Sequence, residues 1–237
     1  MEIGDRDVTI GIIGAMDEEV RLLKQQMVVK DEVTVANCQF TVGTLKEKSI
    51  VLLQSGIGKV NAALATTILL ERFNVEAVIN TGSAGGLDES LSVGDIVIGR
   101  DVVHHDVDVR AFNYQYGQVP GMPAMYHADT RLIHAIEEAI SEHDQVKSKQ
   151  GLIATGDSFM QSKSQVGVVL EHLPEAMAVE MEAAAIAQVC YQYQVPFVII
   201  RSLSDIAGKE SNVSFEAYLD QAAKHAAEMI MTVLTKL

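Results

Sequence analysis

The chain has 237 residues and lacks the usual marks of a disulfide-bonded, membrane or nucleic-acid-binding protein. Its only two cysteines, Cys38 and Cys190, are too few for a disulfide framework and lack metal-ligand spacing, so we expect buried thiols. It has no apolar run long enough to cross a bilayer, no secretory basic region at its start and no basic cluster for a phosphate backbone. We therefore expect a cytoplasmic protein with no membrane or nucleic acid as partner.

The charge and composition of the chain narrow its ligands and its organisation. The 32 acidic residues outnumber the 18 basic ones, which gives a net charge of −14 and mildly disfavours polyanionic substrates. A neutral or cationic small molecule is easier to bind. With 48% hydrophobic and 21% charged residues, the composition is typical of a globular protein, and the length suits a single domain over residues 1–237.

Hydrophobic periodicity predicts strands that alternate with helices. The predicted strands are 8–14, 40–45, 49–54, 76–80, 93–99, 151–155, 176–180 and 195–202. The predicted helices are 16–23, 59–73, 129–146, 162–171, 182–193 and 214–234, the last with Ser214 as its N-cap. This alternation, with polar or glycine-rich segments where strands end, predicts an α/β fold with a mixed central sheet and one composite pocket.

The stretch 178–187, AVEMEAAAIA, places two carboxylates, Glu180 and Glu182, among small apolar neighbours. Unpaired buried charges are strongly disfavoured, so a partner within the fold or a ligand must satisfy them. We expect Glu182 in the first turn of the following helix, where the helix dipole can hold an ionised carboxylate facing a pocket. The alternative is an acid exposed at a helix start.

Three glycine-rich segments predict further places where the backbone approaches a ligand. Residues 55–59, 81–86 and 156–160 each follow a strand, and their N–H groups can approach a bound molecule, although tight turns would explain the same glycines. Gly11 and Gly14 form only half of a dinucleotide fingerprint, so we do not expect nucleotide phosphates there.

A long segment without periodicity, residues 104–123, is rich in aromatics, and loops of this length are usually functional. Its His104-His105 pair beside Asp106 and Asp108 lacks the second pair of ligands that a tetrahedral metal site needs, so we expect no metal. The aromatic side chains suit contact with a ligand or a neighbouring subunit.

Polar and aromatic residues at the predicted strand ends suit cleavage of an N-glycosidic bond. A nucleoside site needs an aromatic face for the base, acceptors for ribose hydroxyls, an acid for the leaving ring nitrogen and a nucleophile on the other face of the sugar. Candidates for these roles are Glu19, Ser83, Phe159, Glu182, Arg201 and Asp205.

Several motifs together resemble the bacterial 5′-methylthioadenosine/S-adenosylhomocysteine nucleosidase family. They are IGIIGAMDEEV, QSGIGKVNAA, INTGSAGGL, VGDIVI, HHDVDVRAFNYQYGQ, GLIATGDSF, AVEMEAAAIA and RSLSD, and they span nearly the whole chain in family order. The resemblance implies a nucleoside phosphorylase-like three-layer α/β/α sandwich and a homodimer that needs no cofactor. It also implies hydrolysis of methylthioadenosine and S-adenosylhomocysteine, and of 5′-deoxyadenosine, in methionine salvage.

The resemblance also implies a role for each matching residue. Glu19 would activate water and Asp205, oriented by Ser204, would protonate adenine at N7. Asp205 must then hold a proton near neutral pH, which requires a dry site. The implied substrate-binding residues are Ile57, Ser83, Ala84, Gly85, Phe159, Met160, Glu180, Met181, Glu182, Arg201, Ser204 and Phe215. Val109, Phe112 and Pro120 would reach the partner subunit's site.

Three alternatives remain open at this point. A purine nucleoside phosphorylase would use the same fold with phosphate as nucleophile, and a futalosine hydrolase would share the site. A binding protein without activity would keep Phe159 and Glu182 but has no reason to keep both Glu19 and Asp205. Departures from the family pattern are few: Asp17 replaces Glu, Met160 replaces Ile, and His104 replaces Tyr. Because Met160 would act through its backbone, we expect no loss of function.

Overall fold

A computed structural model of the chain describes residues 9–142, 147–209 and 211–237, with the backbone alone for residues 211–217. The helices are α1 (Asp17–Gln26), α2 (Lys59–Phe73), α3 (Thr130–Ser141), α4 (Lys163–His172), α5 (Ala183–Tyr193) and α6 (Ser211–Val233). The strands are β1 (Thr9–Gly14), β2 (Val28–Val35), β3 (Cys38–Leu45), β4 (Lys48–Gln54), β5 (Ala77–Gly86), β6 (Ile96–His104), β7 (Tyr126–His127), β8 (Ser148–Thr155), β9 (Ala176–Glu180) and β10 (Phe197–Ile206).

The strands form one mixed sheet in which β5 is the central element. It pairs in parallel with β1 and β10 and, over its last two residues, antiparallel with β9. The remaining pairings run from β1 through β4 and β3 to β2 on one side, and from β10 through β6 and β8 to β9 on the other. Part of the sheet therefore closes on itself, and this brings the carboxyl ends of β5, β9 and β10 together.

Helices cover both faces of the sheet. Helix α2 packs on α5, while α6 packs on α1 and α3 and against β5 and β10. The core between these layers is aliphatic, with fully buried residues such as Ile12, Ile79 and Ile199 from adjacent strands. The expected α/β fold with a mixed central sheet is confirmed.

Three strands extend beyond their predicted ends, and each extension carries residues of interest. The segment 81–86 continues β5 and is not a turn, and the SLSD segment continues β10 to Ile206. Strand β6 begins later than predicted because Gly94 turns the chain with φ 92°, and it runs on to His104. Periodicity stopped these strands early because small and polar residues replace the aliphatic ones while pairing continues.

Other predictions needed correction at helix ends and at the sheet edge. Strand β2 was not predicted, because most of its residues are exposed and charged residues interrupt its valines, as an edge strand permits. Helix α3 ends at Ser141 with Glu142 as its C-cap, and the side chain of Asp129 caps its start; residues 143–146 of the predicted helix lie outside the described part of the chain. Helix α6 begins three residues before Ser214, so Ser214 is not its N-cap.

Two further expectations can be compared with the described residues. Cys38 and Cys190 are both buried free thiols, as predicted. Among the helices in the described part of the chain, none is long and apolar enough to cross a membrane.

Candidate active site

A cavity of about 360 Å³ lies where the carboxyl ends of β5, β9 and β10 meet the start of α1. It is lined by Ala15, Met16, Glu19, Ile57, Ser83, Ala84, Gly85, Phe159, Val179, Glu180, Met181, Glu182, Ser204 and Asp205. Most of the predicted substrate-binding residues are in this lining, together with both predicted catalytic residues. Open α/β sheets keep their ligands at this edge.

The remaining predicted residues occupy different places. Met160 lines a small adjoining cavity of about 30 Å³ that shares Phe159 and Asp205 with the main one. Arg201 is completely buried and acts on the cavity through the carboxylates in its wall. Phe215 belongs to α6, but its side chain is outside the described part of the chain. The loop residues Val109, Phe112 and Pro120 are not in the lining.

The start of α1 holds the Glu19 carboxylate in a fixed position at the cavity wall. Oxygen Oε2 accepts hydrogen bonds from the backbone N–H of Ala15 at 2.7 Å and of Met16 at 3.2 Å. Oxygen Oε1 accepts from Ser83, at 3.0 Å from its N–H and 3.1 Å from its hydroxyl. Glu19 is only 3% exposed, and the four hydrogen bonds hold its carboxylate in one orientation at the cavity wall.

Gly82 allows β5 to approach this carboxylate. A Cβ atom at position 82 would lie 2.6 Å from Glu19 Oε1 and 2.3 Å from Arg201 Nη1. Real Cβ atoms do not approach so closely, so any side chain at position 82 would displace these two charged groups from the positions that their hydrogen bonds fix. Gly82 therefore serves close approach of the backbone to protein side chains, while the approach of residues 81–86 to a bound molecule stays a prediction.

Glu180 is held by the fold and not by a ligand. Its Oε2 accepts from the backbone N–H of Glu182 at 2.9 Å and of Ala183 at 2.8 Å, and from Arg201 Nη2. Its Oε1 accepts from the Thr155 hydroxyl. Glu180, and not Glu182, thus occupies the positive end of α5, which corrects the expectation from sequence.

Arg201 is placed to compensate the buried acids. Its Nη2 also donates to Asn80 Oδ1 at 2.8 Å and lies 3.7 Å from Glu182 Oε2. Burial alone would lower the pKa of Arg201, but the carboxylates of Glu180 and Glu182 raise it above the usual range. The guanidinium therefore stays charged beneath the cavity floor.

Glu182 is the acid that the fold leaves least compensated. It is the N-cap residue of α5 but makes no side-chain capping bond, and its Oε1 accepts from the Gly58 N–H at 2.9 Å. Burial, together with the negative charge of Glu180, raises the pKa of Glu182 to about 8. Glu182 lines the cavity, and its raised pKa favours the protonated form at neutral pH, in which it can both donate to and accept from the hydroxyl groups of a ligand.

A bulge in β10 sets the position of Asp205. Leu203 pairs with Ala84, but Asp205, two residues later, pairs with the next residue Gly85, so Ser204 is the extra residue. The Ser204 hydroxyl donates to Asp205 Oδ1 at 2.9 Å. Asp205 is only 2% exposed and lines both this cavity and the small adjoining one, which it shares with Phe159. Bulges commonly redirect a side chain beside an active site.

Sequence reasoning missed the partners that organise these acids. Thr155 and Gly58 donate to the carboxylates directly, Ala15 and Met16 supply backbone amides, and Asn80 accepts from Arg201, but all five residue types are ordinary in strands and turns. Only the position of Thr155 at a strand end, before a glycine, could have indicated a role. The pairing of Glu180 with Arg201 depends on a contact between distant strands, which periodicity cannot show.

Elsewhere in the described part of the chain, neither a second groove nor a cluster of metal ligands offers comparable chemistry. A wider groove of about 1210 Å³ lies near the amino ends of β1, β4 and β5, but its charged residues are dispersed on the surface. Within the described part of the chain, no group of three or more His, Cys, Asp or Glu residues could hold a metal ion. We therefore treat the smaller cavity as the active site.

Comparisons with known proteins agree with this geometry. A nucleosidase of Anoxybacillus flavithermus, named for 5′-methylthioadenosine and S-adenosylhomocysteine, is 60% identical over 230 residues, which cover 97% of this chain and 99% of the relative. The Neisseria meningitidis nucleosidase of that name, solved with methylthio-immucillin-A, has a TM-score of 0.95 and 46% identity over 97% of this chain and 99% of its own. The futalosine hydrolase of Helicobacter pylori is more distant, at 34% identity and a TM-score of 0.92, covering 98% and 99%.

A family model described as the phosphorylase superfamily matches residues 9–235, which is nearly all of the chain. Together with the identity of 60% to a named relative, this match identifies the family. The chain belongs to the phosphorylase superfamily and, within it, to the 5′-methylthioadenosine/S-adenosylhomocysteine nucleosidases.

Proposed function

We propose that this chain hydrolyses the N-glycosidic bond of 5′-methylthioadenosine and S-adenosylhomocysteine, releasing adenine and the thioribose product. The observation that carries the proposal is one cavity with Glu19 at one wall and Asp205 at another. An acid and a base on opposite sides of a sugar are what this cleavage requires. Residues 1–237 would act as one catalytic domain.

Asp205 serves as the acid. Adenine is a poor leaving group unless its ring is protonated, and a carboxylic acid in a part of the cavity wall shielded from water can deliver that proton to N7. Asp205 is buried beside Phe159, which would stack on the base, and the Met160 backbone would bind the adenine edge. The Ser204 hydroxyl fixes the carboxyl group, because it donates to Oδ1 at 2.9 Å.

Glu19 serves as the base for water. As the bond to adenine lengthens, positive charge develops on the ribosyl ring, and the carboxylates of the cavity stabilise it. A water molecule beside Glu19 loses its proton to that carboxylate as it attacks the anomeric carbon. The Ser83 hydroxyl, now 3.1 Å from Glu19 Oε1, can turn to bind this water.

Glu182 binds the ribose hydroxyls, and Ile57 borders the alkylthio group. The raised pKa of Glu182, about 8, means that it can donate one hydrogen bond and accept others on meeting a diol. Arg201 and Glu180 position Glu182 and balance its charge, and Glu180 also lines the cavity beside it.

Water, and not phosphate, is the nucleophile in this proposal. A phosphorolytic site must stabilise a dianion with several cations or N–H donors. Among the described residues that line the cavity, four are acids and none is Lys or Arg. A carboxylate about 4 Å from a phosphate would cost about 4 kcal/mol per pair of unit charges at an effective dielectric of about 20.

The test is cleavage of methylthioadenosine in phosphate-free buffer, with the sugar product identified by mass. We expect free methylthioribose at an undiminished rate. A sugar 1-phosphate, with a rate that rises with added phosphate, would instead indicate a phosphorylase. A parallel panel with S-adenosylhomocysteine, 5′-deoxyadenosine and aminofutalosine separates the proposal from a futalosine hydrolase.

A partner subunit completes the site in this proposal. Phe112 is 75% exposed in the single chain, and Val109 and Pro120 are also outside the cavity lining. Large exposed aromatics on a long loop are typical of interfaces. We place these three residues over the alkylthio end of the neighbouring site in a homodimer.

A further inference from the structure

Three residues outside the cavity form a closed ring of hydrogen bonds at its rim. The Lys59 ammonium donates to Asp106 Oδ1 at 2.6 Å, and the Asp157 N–H donates to Asp106 Oδ2 at 3.0 Å. The Lys59 N–H donates to Asp157 Oδ1 at 2.8 Å, which closes the ring. The ring therefore ties the start of α2 to the segments that follow β6 and β8.

The ring is more than an exposed ion pair. The side chains of Lys59 and Asp106 are 20% and 30% exposed, and each residue is held by two different partners. Burial alone would raise the pKa of Asp106, but the hydrogen bonds from Lys59 and Asp157 hold it below the usual range. Networks of this kind fix geometry better than single surface pairs do.

The ring fixes the position of the Gly58 N–H, which is hydrogen-bonded to the Glu182 side chain. Gly58 comes directly before Lys59, and its N–H donates to Glu182 Oε1 at 2.9 Å. Gly58 has φ 95°, a conformation that only glycine adopts without strain, and it supplies no side chain to cap α2. Asp157 caps α2 in its place, since it accepts the first helical N–H.

We propose that Lys59, Asp106 and Asp157 are positioning residues that orient Glu182 toward the ribose hydroxyls through the Gly58 N–H. The proposal rests on the proposed function, because it assumes that Glu182 binds ribose. With the ring broken, the start of α2 is free to move and Glu182 loses its fixed orientation. Ligands with a ribosyl group then bind more weakly, while free adenine, which does not reach Glu182, binds as before.

The test compares Lys59→Met and Asp157→Ala with the matched control Lys24→Met. Lys24 makes a similar ion pair, 2.7 Å from Glu32, and is not among the residues that line the cavity. For both ring variants we expect KM for methylthioadenosine to rise about tenfold, the size of one lost charge-assisted hydrogen bond, with kcat within about threefold. We expect Lys59→Arg to recover most of the loss, and Lys24→Met to match the wild type.

Binding measurements separate positioning from general damage. We expect calorimetry to show about tenfold weaker binding of a non-cleavable methylthio-nucleoside to the ring variants, with adenine within about twofold. Equal weakening of both ligands, or a KM within twofold of wild type in folded variants, would overturn the proposal. If the wild type fails to cleave methylthioadenosine, the proposed function is wrong. The nucleoside-to-adenine comparison would still test the ring.

Discussion

Asp205 is the residue on which the proposed chemistry depends most directly. Asp205→Asn keeps the shape and can still accept from Ser204, 2.9 Å away, but it cannot deliver a proton. We expect kcat for methylthioadenosine to fall far below a tenth of the wild-type value, while binding of adenine is largely kept. Asp31→Asn, on the exposed face of β2, is the control. A variant that kept more than about a tenth of kcat, a loss under about 1.4 kcal/mol, would require another proton donor.

Glu182 predicts a specific dependence of stability on pH. Its pKa is raised from 4.5 to about 8 in the folded chain, so between these values the folded state keeps a proton that the unfolded state releases. The contribution of Glu182 to stability is therefore complete below about pH 4.5 and is lost as pH rises through about 8.

The measurement is urea unfolding of the wild type and Glu182→Gln from pH 5 to 9. We expect the unfolding free energy of the wild type to fall, relative to that of Glu182→Gln, as pH rises across this range. A constant difference would show that Glu182 has the same protonation in both states.

At the scale of elements, the junction between β9 and α5 contributes both to the stability of the fold and to the geometry of the site. Glu180 accepts from two α5 amides and from the fully buried Arg201, so Glu180→Gln leaves that cation without its nearest counter-charge. We expect a loss of about 3–5 kcal/mol in unfolding free energy, typical of breaking a buried pair.

The matched control is Glu32→Gln, which breaks the exposed ion pair with Lys24. Denaturant unfolding should show a change below about 1 kcal/mol for it. If Glu180→Gln cost no more than this control, Glu182, 3.7 Å from Arg201, would have taken over as the counter-charge.

The same junction shows what sequence could and could not predict. Strands, helices and the acids near their ends followed from periodicity and from the unusual surroundings of Glu180 and Glu182. The prediction that the Glu182 carboxylate lies at the positive end of the α5 dipole was wrong. The carboxylate of Glu180, two residues earlier, accepts from the N–H groups at that end instead. The Ser204 bulge arises only when β5 and β10 lie side by side, and the ion pair of Arg201 with Glu180 joins β10 to β9, so no local pattern predicts either of them.

At the scale of the whole molecule, we predict a homodimer with shared sites. Phe112→Ala, which truncates a 75% exposed side chain, should lower activity without lowering the melting temperature. Mixing Phe112→Ala with Asp205→Asn subunits should restore activity, because one site in the mixed dimer then has an intact Asp205 and a partner's intact Phe112. Sedimentation gives the oligomeric state at assay concentration. A fully active monomer would contradict the prediction.

The close approach at Gly82 has a consequence for mutational tolerance. Because one atom added at this position would meet both Glu19 and Arg201, it would displace the proposed base and the buried counter-charge together. A library of all amino acids at position 82, selected for growth on methylthioadenosine as sulfur source, should therefore return glycine alone. An inhibitor that rests on this patch of backbone would leave the enzyme no route to resistance by substitution there.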